Sequence, residues 1–410
     1  MRQHTKEGYR NMQDQIRMTF EQGGGIFRMV PAFVPVRFGI PGKRLKIHPD
    51  DYMTFGAEAG LIMERWLCSV SGCRTKNEKR PDQGLSYVLA SDGTQFLLKD
   101  AVETLRQELI GAALMERYGT FPVFSKFFDY ETPLYFHFHP RTEVARRVGC
   151  EAKPECYYFP PQLNNYPGRR PTTFLGFHAG VRKEDVRRCI EDFDRRDTHI
   201  TELSCAYEIA PGQGWFIPAG VIHAPGSLLT YEPQWGTDLN CVLENVVCGE
   251  VFEKRFLTDI VPEDIPAEQV TDYIMDAIDW ELNFEPDLKQ KYLRPAVQLA
   301  QTQDGLTEKW VCYGNDFVSA KEVTVAPGRT VVLTDRAAYG AILVQGFGTF
   351  GAYRAEAVNL MRAGALTADE FFVGWNAARS GVTITNSSTT EPLVLLQHFG
   401  PDNCFYPQTT

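Results

Sequence analysis

Apolar and polar residues alternate in short runs over most of the chain, with Gly, Pro, Asn and Asp between the runs. This two-residue period predicts many half-buried strands joined by turns. From about 26 to 97 it is carried by segments such as 61-LIMERWLCSV-70 and 85-LSYVLA-90. Residues 98–119 change period: Val102, Leu105, Leu109, Ile110 and Ala113 recur at helical spacing and predict one helix with an apolar face. Strand patterns return over 121–250, interrupted by a short helix at 183–193 marked by Val186, Ile190 and Phe193. The polar, acidic stretch 258–302 places Val270, Ile274 and Ala277 at helical spacing after Pro266, which predicts a helical connector. Alternation resumes over 316–400, in 321-KEVTVAPGRTVVL-333, 341-AILVQGFGTFG-351, 382-VTITN-386 and 391-EPLVLLQHF-399. The first 25 residues are polar and end in Gly23-Gly24-Gly25, a pattern that predicts a loosely packed arm.

A chain of 410 residues exceeds the usual size of one hydrophobic core. The pattern divides it into an arm (1–25), a first β domain (26–257) with the helix 98–119 inserted, a connector (258–302) and a second β domain (303–410). The expected class is all-β dominated with a few helices. No stretch approaches the ~18 apolar residues of a membrane span, and the polar start MRQHTKEGYRNMQDQ does not resemble a secretory signal. A soluble, cytoplasmic protein without a membrane partner is expected. A net charge of −10 argues against nucleic acid as a partner. The ten cysteines form no CxxC pair, so reduced, buried thiols are expected rather than disulfides.

Candidate chemistry concentrates in 134-LYFHFHP-140. Side chains at i and i+2 of a strand share a face, so His137 and His139 enter one pocket if this segment is extended. Glu155 follows sixteen residues after His139, and His223 ends Phe-Ile-Pro-Ala-Gly-Val-Ile-His. Three imidazoles and a carboxylate suit a divalent metal, with Zn favoured over Mn, Fe, Co or Ni. A single histidine on a strand would be structural; the combination of a strand HxH with a Pro-Ala-Gly-x-x-His turn points to a metal. Ligands on antiparallel strands and after a Pro-Gly turn are the arrangement of a jelly-roll barrel. The second block offers 369-DEFFVGWNAAR-379 at the corresponding turn, without HxH or histidine, which predicts an internal duplication in which only the first barrel keeps the metal. Histidines 4, 48, 178, 199 and 398 fall outside the constellation and are read as surface or core residues.

Several segments carry a family resemblance: Glu64-Arg-Trp66, 121-FPVFSKFFD-129, the HFHP segment, 152-AKPEC-156, 175-LGF-177, 209-IAPGQGWFIPAGVIHA-224 and Glu232-Pro-Gln234. Through these the chain resembles the type I mannose-6-phosphate isomerases of the cupin superfamily over residues 60–245. The resemblance implies a bicupin, two jelly-roll barrels of which the second is degenerate. It makes His139, Glu155 and His223 metal ligands, joined by His137 where many relatives carry a ligating glutamine. Lys153 matches an active-site lysine and Glu232 the candidate acid/base carboxylate. Two positions depart from the pattern. Tyr135 stands where the family has a serine linked to phosphate recognition, and Asn240-Cys241-Val242 stands where the family places an arginine at the substrate.

The implied reaction is aldose–ketose isomerisation of a sugar or sugar phosphate through an enediol(ate). Glu232 is expected to move the proton, Lys153 to stabilise the enediolate or help open the sugar ring, and Asp238 to pair with Lys153 or a sugar hydroxyl. Arg147, with Arg141, Arg146, Arg169 and Arg170, lies near the metal strands in sequence and is a candidate substitute for the missing guanidinium or a grip for phosphate. Two other readings stay open: a cupin dioxygenase using Fe, and a non-catalytic sugar-binding or regulatory bicupin.

Overall fold

The computed structural model describes residues 6–74, 79–165 and 170–407. Its first strands are β1 (Ile26–Val30), β2 (Ala32–Val36), β3 (Leu61–Leu67), β4 (Tyr87–Leu89), β5 (Gln95–Leu97), β6 (Val123–Phe128), β7 (His137–Phe138), β8 (Glu155–Tyr158), β9 (Thr172–Phe177), β10 (Ser204–Glu208), β11 (Gln213–Ile217), β12 (Ile222–Ala224), β13 (Thr230–Trp235) and β14 (Cys241–Val242). A small hairpin, β15 (Val246–Val247) and β16 (Glu250–Val251), and two short strands, β17 (Leu293–Pro295) and β18 (Val297–Gln298), lead to the second half. That half holds β19 (Leu306–Cys312), β20 (Ser319–Val325), β21 (Thr330–Leu333), β22 (Tyr339–Gln345), β23 (Phe347–Phe350), β24 (Tyr353–Glu356), β25 (Glu370–Val373), β26 (Val382–Asn386) and β27 (Leu393–Phe399).

The two halves share one topology. The seven-stranded sheet runs β2-β3-β6-β13-β8-β11-β17, and the nine-stranded sheet carries β18-β19-β20-β27-β22-β25 in the same relative order. The smaller sheets correspond as well, β7-β12-β9-β10 against β21-β26-β23-β24. Even the register repeats: Lys126 on β6 lies opposite Trp66 and Glu232, and Lys321 on β20 lies opposite Trp310 and Gln397. In each half a large and a small antiparallel sheet face one another; the small-sheet strands β21 and β23 alternate buried and exposed residues, whereas β6, β8, β25 and β27 of the large sheets are buried throughout.

The large sheets also meet back to back. On β6, Lys126 faces the inside of the first half, whereas Ser125 faces out and its Oγ lies 2.6 Å from Nδ1 of His398. On β8, Glu155 faces in and Tyr158 faces out, donating to Glu322 at 2.7 Å. Arg65 on β3 reaches across to Asp369 and Glu370. His398 is buried, and its tight seating needs a glycine beside it, since a Cβ on Gly340 would lie 2.2 Å from its Cε1. Burial pushes the His398 imidazole down to about 3. Between about pH 6.5 and pH 3 the unfolded chain takes up a proton that the folded chain refuses. Stability contributed by neutral His398 is therefore complete above that window and falls with pH inside it, by about 1.4 kcal/mol per pH unit. A His398→Gln variant should show a shallower acid slope of its urea midpoint between pH 6.5 and 4; an unchanged slope would remove His398 from the account.

Several sequence expectations need correction. Where it is described, the arm expected to pack loosely is instead helix α1 (Lys6–Gln22), which buries Ile16 and Phe20, the latter 5.3 Å from the ring of Phe27; its first five residues lie outside the described residues. The single helix 98–119 is three pieces, α2 (Leu98–Leu105), α3 (Gln107–Ile110) and α4 (Ala112–Tyr118). It breaks at Arg106 (φ 52°) and Gly111 (φ 83°), and a Cβ on Gly111 would strike the Trp375 ring at 2.5 Å. The breaks let Leu105, Leu109, Ile110 and Leu114 all reach the core around a corner that one straight helix could not follow. Two cysteines are not reduced: Cys156, facing out from β8, is joined to Cys312 on β19. The sheets also cross the expected domain boundary, because β1, β4 and β5 extend the nine-stranded sheet of the second half.

Two other helices appear where the pattern put them, and a third does not match it. After α5 (Thr142–Arg147), α6 (Lys183–Glu191) matches the segment 183–193. The stretch 258–302 follows the short α7 (Lys254–Thr258) and contains α8 (Val270–Ala277), α9 (Trp280–Asn283) and α10 (Leu288–Tyr292), with β17 and β18 at its end. Ile274, Met275 and Ala277 pack on Phe136, Phe138 and Val186, outside the five-stranded sheet. The stretch proposed as counterpart of the Pro-Ala-Gly turn is a helix, α11 (Trp375–Ser380), not a tight turn. Among the described residues no helix is long and apolar enough to cross a membrane.

Candidate metal centre

His137 enters from β7 and His223 from β12, and the two are direct partners across those strands. His139 follows two residues after His137 and therefore faces the same side. The turn that delivers His223 depends on Gly220, whose φ of 97° favours glycine and whose N–H donates to the His139 carbonyl at 2.8 Å. Asn283 of α9 clamps this turn from outside: its amide donates to the Gly220 carbonyl and its oxygen accepts from Ile222 N–H, both at 2.7 Å. The connector thus helps hold a candidate ligand in place.

Each imidazole is fixed by a backbone carbonyl. Nδ1 of His137 meets Tyr135 O at 2.9 Å, that of His139 meets Leu239 O at 2.7 Å, and that of His223 meets Val221 O at 2.9 Å. Carbonyls only accept, so each Nδ1 donates, and the neutral ring of this tautomer directs an Nε2 lone pair inward. Second partners of this kind orient ligating histidines at metal sites. The three buried side chains bring their ligand atoms within 4.8 Å of one another.

Glu155 on β8 closes the group, with Oε1 3.1 Å from His223 Nε2 and Oε2 3.2 Å from His139 Nε2. A neutral Nε2 and a carboxylate oxygen both present lone pairs, and His223 Nε2 is buried without a hydrogen-bond donor. Donors sharing one ion at about 2.1 Å stand roughly 3.0–3.4 Å apart. The donor set and its orphaned acceptor therefore fit a divalent cation. Burial, reinforced by the neighbouring imidazoles, holds His137 well below its usual range, and burial beside Lys153 holds His139 at about 4. Burial alone would raise Glu155, but the Lys153 ammonium at 2.7 Å outweighs it and holds the carboxyl well below its usual range. His137, His139 and Glu155 are thus in the form that binds metal.

The remaining candidates divide by position. Lys153 is buried, with Nζ 2.7 Å from Glu155 and 3.1 Å from Glu232. Glu232 faces the same interior from β13, and burial lifts its carboxyl to about 8, with Glu155 adding to the rise and Lys126 and Lys153 opposing it. Asp238 is half-buried, directly before the Leu239 carbonyl that holds His139, and burial raises its carboxyl against the charges of Lys126 and Lys153. Arg147 is not brought to this group: it is partly exposed and paired with Asp264 at 3.1 Å. Arg141, Arg146 and Arg170 are likewise paired with Asp279, Glu151 and Glu208. Arg169 lies outside the described residues.

The structure adds residues to which sequence reasoning gave no role. Lys126 Nζ lies 3.4 Å from Glu232 and 3.9 Å from Glu64, and Glu64 accepts from Trp66 Nε1 at 2.9 Å and Tyr130 OH at 3.0 Å. Tyr157 donates to Glu155. The signal was present in Phe-Ser-Lys-Phe-Phe, where a lysine occupies an inward position of an otherwise apolar strand face.

One further expected outcome follows for the ligands. Zn²⁺ should raise the thermal midpoint of metal-free protein, by the equivalent of about 2.7 kcal/mol at a hundredfold excess over Kd. His223→Ala should abolish the shift; its persistence would exclude His223 as a ligand.

No protein-family model matches the chain, and no curated protein matches it by sequence. Solved structures do. A putative mannosephosphate isomerase from Archaeoglobus fulgidus is 16% identical, with a TM-score of 0.58, over 92% of this chain and 97% of its own. The mannose 6-phosphate isomerase of Bacillus subtilis is also 16% identical, with a TM-score of 0.59, over 91% and 99%. A zinc-bound mannose 6-phosphate isomerase is 12% identical, with a TM-score of 0.58, over 92% and 99%. The chain shares the fold of these proteins along nearly its whole length.

Proposed function

We propose that the protein is a divergent, metal-dependent aldose–ketose isomerase. The observation that carries this reading is the convergence of three tautomer-fixed imidazoles and Glu155, with Glu232 held against them through Lys153 at 3.1 Å. His137, His139, Glu155 and His223 would hold the ion, with Zn²⁺ favoured by the nitrogen-rich donor set. A divalent ion here supplies Lewis acidity toward a sugar carbonyl or hydroxyl oxygen. Glu232, which is not among the donors, takes the proton from the carbon next to the carbonyl and returns it to the adjacent carbon. Lys153 and Lys126 fix the Glu232 carboxylate from two sides and donate to oxygen as the enediolate gains charge. Asp238 orients a hydroxyl. Arg147 keeps only the part of an outer contact.

The architecture belongs to the same proposal. Matching strand order and register in the two halves support a duplicated bicupin, in which Gln397 and Tyr339 occupy the positions of Glu232 and Glu155 and the second half has lost the metal. In this reading the two barrels take 26–257 and 303–410 as their approximate ranges, except that β1, β4 and β5 of the first range pair into the sheet of the second.

The test is solvent-deuterium incorporation at C1 or C2 of hexoses, followed by NMR on metal-loaded protein. Metal-dependent exchange is the expected result; oxygen uptake without exchange would replace the isomerase by an Fe-dependent dioxygenase.

A further inference from the structure

An aromatic wall runs from the histidines toward the surface. The Tyr135 ring lies 4.8 Å from that of His137 and 5.4 Å from that of Phe252. Phe38 packs on Tyr135 at 5.1 Å and on Phe252 at 4.3 Å, and Phe256 stands 5.4 Å from Phe252. Phe38, Tyr135 and Phe256 each keep part of their surface exposed. Opposite His137 on the neighbouring strand stands Val242, and cross-strand partners share a face. Beyond the ligands, this side of the site presents rings and an aliphatic side chain.

The polar side is acidic. Glu64, Glu155, Glu232 and Asp238 surround Lys126 and Lys153, and each ammonium group is already held by two carboxylates, Lys126 by Glu64 and Glu232 at 3.9 and 3.4 Å, Lys153 by Glu155 and Glu232 at 2.7 and 3.1 Å. Among the described residues, four guanidinium groups on this side are already matched: Arg74 by Asp259, Arg141 by Asp279, Arg147 by Asp264, and Arg255, above the ring of Phe256, by Glu253. A phosphate ester only accepts hydrogen bonds and needs unspent cations. Carboxylates accept as well, so they suit a ligand rich in hydroxyl donors, and rings suit its C–H faces.

We infer, resting on the isomerase reading, that the substrate is an uncharged sugar rather than a sugar phosphate, its C–H surface against Phe38, Tyr135, Phe252 and Phe256 and its hydroxyls toward the carboxylates. The experiment compares mannose and fructose with their 6-phosphates on metal-loaded protein, measuring both kcat/KM for exchange and Kd by calorimetry. The free sugars are expected to be favoured at least about tenfold in both. Phe256→Ala should raise KM for the free sugar with kcat nearly unchanged, and Phe256→Arg should move the preference toward the phosphate. A preference for the 6-phosphates, a difference under about threefold, or no binding by any of the four overturns the inference. Free-sugar binding without exchange upholds this substrate class and removes the isomerase reading instead.

Discussion

Replacing Glu232 by glutamine is expected to lower proton exchange about 100- to 10,000-fold, the usual contribution of a positioned acid or base, while leaving bound metal unchanged. The amide keeps the shape of the carboxyl and can still accept from Lys153 and Lys126, now 3.1 and 3.4 Å from Oε1, but it cannot take up a proton. The proposed metal donors lie outside β13, so metal content measured alongside exchange separates loss of chemistry from loss of the ion. A variant that retains full exchange would assign the proton transfer to another group. One that loses its metal would make Glu232 part of the support for the ligands.

The second large effect is expected at the seam between the two halves. Arg65 makes a bidentate pair with Asp369 at 2.7 and 2.9 Å and a further bond to Glu370 at 2.9 Å, and all three side chains are buried. Burial lifts the Glu370 carboxyl to about 7 despite the guanidinium. Arg65→Met keeps the apolar stem and removes the charge, leaving two carboxylates without their partner. Removing one member of a buried pair costs about 3–5 kcal/mol. Urea unfolding should show that loss, and much of it should return when Asp369→Asn and Glu370→Gln are added. If Arg65→Met unfolds like the parent, the seam is held by its apolar contacts alone. Arg65 faces the opposite side of β3 from Glu64 and Trp66, so the exchange reaction of the folded fraction should be unaffected.

How far the site was legible can be followed residue by residue. His137 and His139 were readable because a two-residue spacing on a strand fixes a shared face, and the Pro-Ala-Gly turn announced His223. Glu155 was read beside the histidines as the carboxylate sixteen residues on, Lys153 and Glu232 came through family resemblance, and the fold brings all three to the histidines. Arg147 was drawn in by nearness in sequence, which on a short helix after the metal strand does not mean nearness in space. Lys126 and Glu64 were passed over because a charged residue on a buried strand has meaning only once the facing strand supplies its partner.

The sequence by itself determined the strand periods, the helix at 183–191, the two β-rich halves and the histidine pair, because each of these is set by neighbours within a few residues. Only the tertiary structure decided which faces meet. It folded the polar N-terminus into a packed helix, bent the helical stretch after Leu98 at Arg106 and Gly111, and lent β1, β4 and β5 to the second half. It also joined Cys156 to Cys312 across 156 residues and set His398 against Ser125. Alternation along a strand says that one side is buried, but the partner on that side is chosen by sheet pairings that no local period contains.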